Sequence, residues 1–428
     1  LKRKNEFKAG YFTEWVRQRV IAKVGEENFL KNGYRVVTTL DWELQKNAEK
    51  QVLLGVKEVD KRQGYKGPIR HDDINNLINY EEAYRKKWLV EKSTFFTLDE
   101  KFQKNYEYKF SADEFLKFKM RNQNADKQML VKNIKPGLDN TDYFVKYLEP
   151  GESYEAIVTA VNDILKVVFV SIGGVSAIIP QENFKWAHER YTSDTVKYFV
   201  PVNKPSTILA VGDVILVRVE KSSVVLNSYF AKDINLTIPL IEQNKLKRER
   251  YLLCSLDQYP EVQGSLVAMN PATGEIVSFV GGNDFLLSKF DRAIQSKRQP
   301  GSSFKPFIYA AALENGFTPN TIILDTPEAL SGMDDTLAWK PKNYDNEFKG
   351  PVTFRTSLEQ SRNIPTIKIA HKVGMQKLTN FLERITFDAK FDRDLSIALG
   401  SFGVTVLEMV NMYLIFPNHG KVVDYKTI

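Results

Sequence analysis

Cysteine is almost absent from this chain of 428 residues: Cys254 stands alone, so no intrachain disulfide can form and no cysteine-based metal site is expected. Histidine is nearly as scarce. His71, His188, His371 and His419 are scattered without ligand spacing and give no signal for catalysis. No metal or other cofactor is expected. No stretch has the length and apolarity of a membrane span; the longest uncharged run, from Val167 to Pro180, is too short and contains Gly173-Gly174. No signal peptide is expected within this stretch either. Nor does charge of one sign prevail. Lys and Arg number 60 against 53 Asp and Glu, and the two signs are interleaved almost everywhere. The densest basic run, Lys245-Leu246-Lys247-Arg248-Glu249-Arg250, is short and reads as a solvated helix face rather than a nucleic-acid stripe. The chain opens on Leu1 and ends on Ile428, and reads as a piece of a longer protein.

What is present is a globular composition, 43% hydrophobic and 26% charged, with length for about three domains. Residues 1–29 read as a helix with Phe12, Trp15, Val16, Val20 and Val24 on one face. Residues 33–40 are dense in β-branched side chains and read as a strand. Asp41 is placed to cap a helix running from Trp42 toward Arg62, with Leu44, Ala48, Val52, Val56 and Val59 as its apolar stripe. From residue 71 to about 150, in stretches such as Lys101-Phe102-Gln103-Lys104-Asn105-Tyr106, the reading is short amphipathic helices and loops without chemistry. Residues 151–240 are β-rich, with strands over 154–161, 165–172, 176–179 and 214–219 and turns at Gly173-Gly174 and Gly212-Asp213. This pattern resembles a small OB-type barrel. Val and Ile stand where a base-stacking platform would carry Phe or Tyr, so an interaction or spacer module is expected and a nucleic-acid partner is not. A hairpin follows, residues 264–270 and 275–282 around Pro271-Ala272-Thr273-Gly274, with two apolar strands that should form a core sheet.

The chemistry is concentrated just after that hairpin. Arg298-Gln299-Pro300-Gly301-Ser302-Ser303-Phe304-Lys305-Pro306-Phe307 reads as a tight turn feeding a helix that stops at Gly316. Pro306 is tolerable in a first helical turn, where backbone N–H groups lack intrahelical acceptors. Ser302 then sits at a helix N-terminus, beside a cleft at the edge of the hairpin sheet, with Lys305 on the same face. A serine hydroxyl becomes a nucleophile when a neighbour takes its proton, and a lysine can do so when burial and a positive helix end hold it neutral. The Ser302 N–H is a candidate oxyanion donor.

Further on, residues 353–360 read as helical, and Pro365 biases Ile364 away from helix, which predicts a break there. Ser361 and Asn363 are one residue apart, so an extended or turn backbone can aim both into one cleft, a hydroxyl to relay a proton and an amide to hold a carbonyl. Ser-x-x-Lys followed by Ser-x-Asn at this distance is a second match to one catalytic plan. With these two motifs, Trp339-Lys340-Pro341-Lys342-Asn343-Tyr344, Gly350-Pro351, Ala398-Leu399-Gly400-Ser401 and Asn418-His419-Gly420-Lys421, the chain resembles class A penicillin-binding proteins, in the Gram-negative group that carries an OB-like insert. Residues 33–55 resemble the linker between the two catalytic domains of that family.

The resemblance implies a multidomain α+β chain: a linker region over residues 1–150, an all-β OB-like barrel over 151–240, and the N-terminal part of a serine-transpeptidase (DD-peptidase-like) domain over 241–428. It implies a DD-transpeptidase in which Ser302 attacks the D-alanyl-D-alanine carbonyl of a peptidoglycan stem peptide, Lys305 is the base, Ser361 the proton relay, and Asn363 and Ser303 hold substrate. β-Lactams would trap Ser302 as an ester. The parent would also be a glycosyltransferase, periplasmic and anchored to the inner membrane, with an envelope protein as a possible partner of the barrel. The alternatives are a serine β-lactamase, a DD-carboxypeptidase, or a non-catalytic binding module on a degenerate scaffold. The family's third motif, Lys-Thr/Ser-Gly, does not occur; Lys426-Thr427-Ile428 is a near-match that comes too soon after Asn363. Loss of an oxyanion donor costs on the order of 10²–10³ in rate, so this polypeptide by itself is expected to be feeble or inert.

Overall fold

The computed structural model describes residues 8–81, 83–84, 95–98, 104–108, 148–190, 200–225, 250–327, 341–385 and 395–428. The chain forms two compact units, one built on Lys57–Val262 and the other on Glu6–Val56 with Gln263–Ile428. Among the described residues no helix is long and apolar enough to cross a membrane.

The helical start of the chain is two helices rather than one. Helix α1 (Gly10–Val24) ends at Gly25, whose φ of 85° breaks the repeat, and α2 (Glu26–Lys31) follows. Residues 33–40 join no ladder, against the strand expected there. Thr39 N–H donates to Thr427 O at 3.2 Å and Asp41 N–H to Val277 O at 2.9 Å, while Val37 is 71% exposed: this strip has too few backbone partners to be a strand. Helix α3 (Trp42–Arg62) begins as expected, with Asp41 Oδ1 accepting from the N–H groups of Glu43 and Leu44 at 2.9 and 3.0 Å. Its buried edge is turned by one residue from the apolar stripe. Leu44 and Val59 are exposed, and Gln45 and Asp60 are buried beside Ala48 and Val56. Gln45 earns that place by pairing with both backbone groups of Phe279, and Asp60 by accepting from Gln258 Nε2 at 2.8 Å.

In the first unit the barrel closes. Strands β1 (Arg70–His71), β2 (Ser153–Asn162), β3 (Val167–Ile172), β4 (Val175–Pro180), β5 (Asp213–Val225) and β6 (Arg250–Asp257) form one sheet, and pairing of β5 with β6 shuts it into a five-stranded barrel. Only β4 and β6 run parallel. Leu216, Val217 and Arg218 of β5 pair with β2 on one edge and β6 on the other, and past Val219 β5 continues along β6 alone, with register shifts after Val219 and Lys221. The closing strand lies beyond residue 240, outside the span read as β-rich, because its sequence, Arg-Tyr-Leu-Leu-Cys-Ser-Leu-Asp, directly follows the basic run taken for a helix face. Apart from Arg250, that run falls outside the described residues. Alternate residues fill the interior, including Val168, Val170, Ile179, Ile215, Val217, Leu252 and Cys254. Burial pushes the Cys254 thiol well above its ordinary range. A separate hairpin pairs Phe95–Leu98 with Lys104–Tyr108, where helices and loops were expected. Aromatic and β-branched residues at alternate positions favour the pleat there. Most of the remaining stretch up to residue 147 lies outside the described residues.

In the second unit, β7 (Leu266–Met269) and β8 (Ile276–Val280) form the expected hairpin. The helix that follows Ser302 was expected to lie on it, but α1 packs on β8 and the late helix α8 (Val406–Tyr413) packs on β7. Phe12, Trp15, Ile276, Phe279 and Leu407 share that core. Lys426 runs along the hairpin's edge: its carbonyl accepts from Ile276 N–H at 2.9 Å and its N–H donates to Gly274 O at 2.8 Å. Helix α4 (Lys305–Glu314), apolar on nearly every side, is instead enclosed by α6 (Asn363–Val373) and α7 (Met375–Ile385), with Phe307, Ile308, Ala311 and Ala312 fully buried. Strands β9 (Ile322–Asp325) and β10 (Gly350–Thr353) form a small antiparallel pair, and α5 (Phe354–Glu359) leads from it toward α6.

Candidate active site

The turn carrying Ser302 is pinned by a segment about a hundred residues later. Arg298 and Val404 exchange both backbone hydrogen bonds, at 2.8 and 3.0 Å, and Gly301 N–H donates to Gly400 O at 3.2 Å. Two glycines are needed where these strips cross. Gly301 and Gly400 both have positive φ, 56° and 67°, and a Cβ on Gly400 would stand 2.4 Å from the Gly301 carbonyl oxygen. The α-helix proper starts at Lys305, not at Ser302; residues Gly301–Phe304 form a 3₁₀ turn that runs into it. Side chains three apart eclipse in such a turn, which keeps Ser302 and Lys305 on one face. Pro306 occupies the second helical position, as its missing N–H allows. Ser303 Oγ donates to Pro300 O at 2.6 Å, and Tyr413 Oη donates to Ser303 O at 2.5 Å.

The Ser-x-Asn turn is built at a helix junction. Helix α5 ends with Ser361 N–H donating to Leu358 O and Arg362 N–H donating to Ser357 O, both at 2.9 Å. These are the two bonds of a Schellman motif, which requires a left-handed residue at the first position past the helix. Ser361 supplies it with φ 52°, where glycine is the usual occupant. The break therefore falls at Ser361-Arg362, two residues before the expected Ile364. Pro365 lies in the first turn of α6, where its lack of an N–H costs nothing.

The two motifs meet on one amine. Lys305 is 1% exposed, and its Nζ donates to Ser361 O at 2.6 Å, to Ser361 Oγ at 3.2 Å and to Asn363 Oδ1 at 2.8 Å. Asn363 Nδ2 donates to Lys342 O at 2.9 Å. Burial disfavours the ammonium form and pushes the Lys305 amine down to about 8. One turn along α4, Tyr309 Oη lies 3.2 Å from Thr366 Oγ1 and ties α4 to α6. Ser302 is exposed on the turn before Lys305, and no described residue hydrogen-bonds its hydroxyl. The structure thus gathers Lys305, Ser361 and Asn363 into one hydrogen-bonded cluster, with Ser302 open to solvent on the adjoining turn. This arrangement offers an exposed hydroxyl, a depressed amine and a second hydroxyl bonded to that amine, the parts of an acyl-transfer site.

Sequence reasoning did not assign Asp325, Asn343, Arg362, Gly400 or Tyr413. Arg362, between Ser361 and Asn363, points away from the amine: it is 4% exposed and its Nε donates to Asp325 Oδ2 at 2.5 Å. Asn343 and Gly400 stood within recognisable runs, but nothing local told what they touch.

The fold is that of a penicillin-binding protein. The chain matches the penicillin binding protein transpeptidase domain over residues 264–428 and the penicillin-binding protein OB-like domain over residues 131–262, and it belongs to this family. Its relatives include penicillin-binding proteins 1A. That of Rickettsia bellii is 30% identical over 96% of this chain and 39% of its own length, and that of Escherichia coli is 28% identical over 98% and 39%. The crystal structure of penicillin-binding protein 1A from Haemophilus influenzae, 26% identical, superposes with a TM-score of 0.63 over 99% of this chain and 48% of that one. The chain spans about two fifths of the length of the curated relatives it matches.

Proposed function

We propose that this chain is the linker, OB-like and transpeptidase part of a longer peptidoglycan synthase. Its site transfers the acyl group of a D-alanyl-D-alanine stem peptide. Neutral Lys305 Nζ takes the proton of Ser302 Oγ as that oxygen bonds to the carbonyl carbon. The carbonyl oxygen becomes an oxyanion, which the Ser302 N–H can stabilise. Collapse breaks the C–N bond to the terminal D-alanine, and the proton on Lys305 passes through the Ser361 hydroxyl to the leaving amine. The amine of a neighbouring strand then attacks the ester by the reverse route, forming the cross-link and freeing Ser302. Asn363 holds Lys305 through its Oδ1 and retains an amide hydrogen for a substrate carbonyl. The Ser303 hydroxyl, which donates within its turn, keeps lone pairs for a substrate N–H. A β-lactam enters by the same acylation and stays as an ester.

The observation that carries this reading is the convergence of Ser-x-x-Lys and Ser-x-Asn on one buried amine held near neutrality. The whole protein, on this reading, also contains a glycosyltransferase, sits in the periplasm on an inner-membrane anchor, and uses the barrel to meet an envelope protein. Gel labelling of the full-length protein with fluorescent penicillin tests it. Labelling is expected for the wild type and absent for Ser302→Ala; an unlabelled wild type, or a labelled variant, would overturn the assignment.

A further inference from the structure

The first turn of α6 leaves four backbone N–H positions without intrahelical acceptors, and its own cap residue, Arg362, offers no side-chain bond. Each of the four is nevertheless accounted for. Arg362 N–H goes to Ser357 O, and Pro365 has none to satisfy. The remaining two, on Asn363 and Ile364, both donate to Asn343 Oδ1, at 2.9 and 3.1 Å. Asn343 comes from a loop twenty residues earlier and is 3% exposed. Its Nδ2 donates to Asp325 Oδ1 at 2.8 Å and to Glu347 O at 2.9 Å, so all four of its hydrogen-bonding positions are filled and its amide can face only one way. Asp325 is fully buried at the end of β9, and its other oxygen receives Arg362 Nε.

We propose that Asn343 is a positioning residue for acyl transfer: oriented by Asp325, it caps α6 from a separate loop and sets where Ser361 and Asn363 stand against the Lys305 amine. This rests on the reading of Lys305, Ser361 and Asn363 as the reacting group. The same loop grips Asn363 twice, at its backbone N–H through Asn343 and at its side-chain amide through the Lys342 carbonyl. A shift of this loop therefore moves the Asn363 Oδ1 that holds Lys305. Arg362, the residue between Ser361 and Asn363, donates to the same carboxylate, so Asp325 holds both the capping Asn343 and the junction it caps. The groups bonded to the amine are uncharged, so its basicity is set by how closely they exclude water.

The test is the rate of fluorescent-penicillin acylation against pH for the full-length wild type, Asn343→Ala, Ser302→Ala and Ile385→Val, the last a core trim in α7 well removed in sequence from the cap. Misplacing reacting groups by about 1 Å costs on the order of 10²-fold. Asn343→Ala is expected to lose that much, with the pH midpoint moved alkaline by about half a unit or more as water reaches Lys305. Ile385→Val is expected to keep both rate and midpoint. A folded Asn343→Ala that acylates within about threefold of wild type at an unchanged midpoint would overturn the proposal. So would a loss matched by Ile385→Val, which would mark a stability effect alone. Should Asn343→Ala not fold, Asn343→Ser decides by the same two readings: its hydroxyl can serve Asp325 but cannot reach both α6 N–H groups. An unlabelled wild type, or a labelled Ser302→Ala, would instead remove the acyl-transfer reading itself.

Discussion

Replacing Ser361 by glycine should separate stability from activity. Ser361 holds φ 52° at the position where the Schellman bonds of α5 require a left-handed residue. That conformation costs an L-residue about 1–2 kcal/mol, and glycine escapes it. Against this relief stands the greater freedom of glycine in the unfolded chain, about 0.4–1 kcal/mol, and the loss of a long 3.2 Å contact from Lys305, about 0.5 kcal/mol. The balance lies between little change and a gain of about 1 kcal/mol, a rise in Tm of up to roughly 2–4 °C. The Lys305 bond to the Ser361 carbonyl survives, since it belongs to the backbone. The hydroxyl does not survive, and a lost proton relay costs about 10²–10⁴ in rate. Thermal unfolding and penicillin acylation of full-length Ser361→Gly, measured side by side, should therefore diverge. A Tm lowered by several degrees, or acylation near the wild-type rate, would refute the argument that a strained serine is kept there for its hydroxyl.

Other outcomes follow from the same geometry. With Lys305 at about 8 rather than its ordinary 10.5, about a tenth of it is neutral at pH 7 instead of about one part in three thousand. Acylation should rise with pH and level off above about 8, and a profile still climbing toward 10 would contradict the burial argument. Because the folded amine binds fewer protons than the unfolded one between pH 8 and 10.5, its burial penalty should also fade and stability rise across that window, as pH-dependent melting can check. Gly400→Ala drives a Cβ to 2.4 Å from the Gly301 carbonyl at a residue with φ 67°, and should slow acylation about tenfold or more while lowering Tm; an unchanged rate would mean the Ser302 turn does not depend on that crossing. In the barrel unit, the buried Asp257 carboxylate accepts from Lys57 at 2.6 Å and Ser153 at 2.7 Å and pairs with Lys61 at 3.3 Å. Lys57→Met should cost about 1–3 kcal/mol in chemical denaturation, and a neutral result would mean Lys61 alone suffices.

Much of this was legible in the sequence because it is local. The Ser302–Lys305 spacing, the α3 cap at Asp41, the β7–β8 hairpin and the first four barrel strands each follow from patterns a few residues long. The misreadings occurred where distant groups decide. Residues 33–40 have strand-like composition but find few backbone partners, and Pro365 resembles a helix breaker until one sees that α6 begins just before it. The α3 stripe turned by one residue because buried polar partners, Phe279 and Gln258, reward Gln45 and Asp60 over Leu44 and Val59. Asn343 and Gly400 are ordinary residues in isolation. Their importance comes from α6 and from Gly301, which no short window of sequence contains.

The central claim is that the Ser302 oxygen is the acyl acceptor made reactive by the Lys305 amine. Mass spectrometry of the full-length protein after reaction with penicillin, followed by peptide mapping, addresses it most directly. The account predicts one penicilloyl adduct, on the peptide bearing Ser302, with loss of that adduct in Lys305→Ala. An adduct on another residue, or one formed undiminished without the lysine amine, would contradict it.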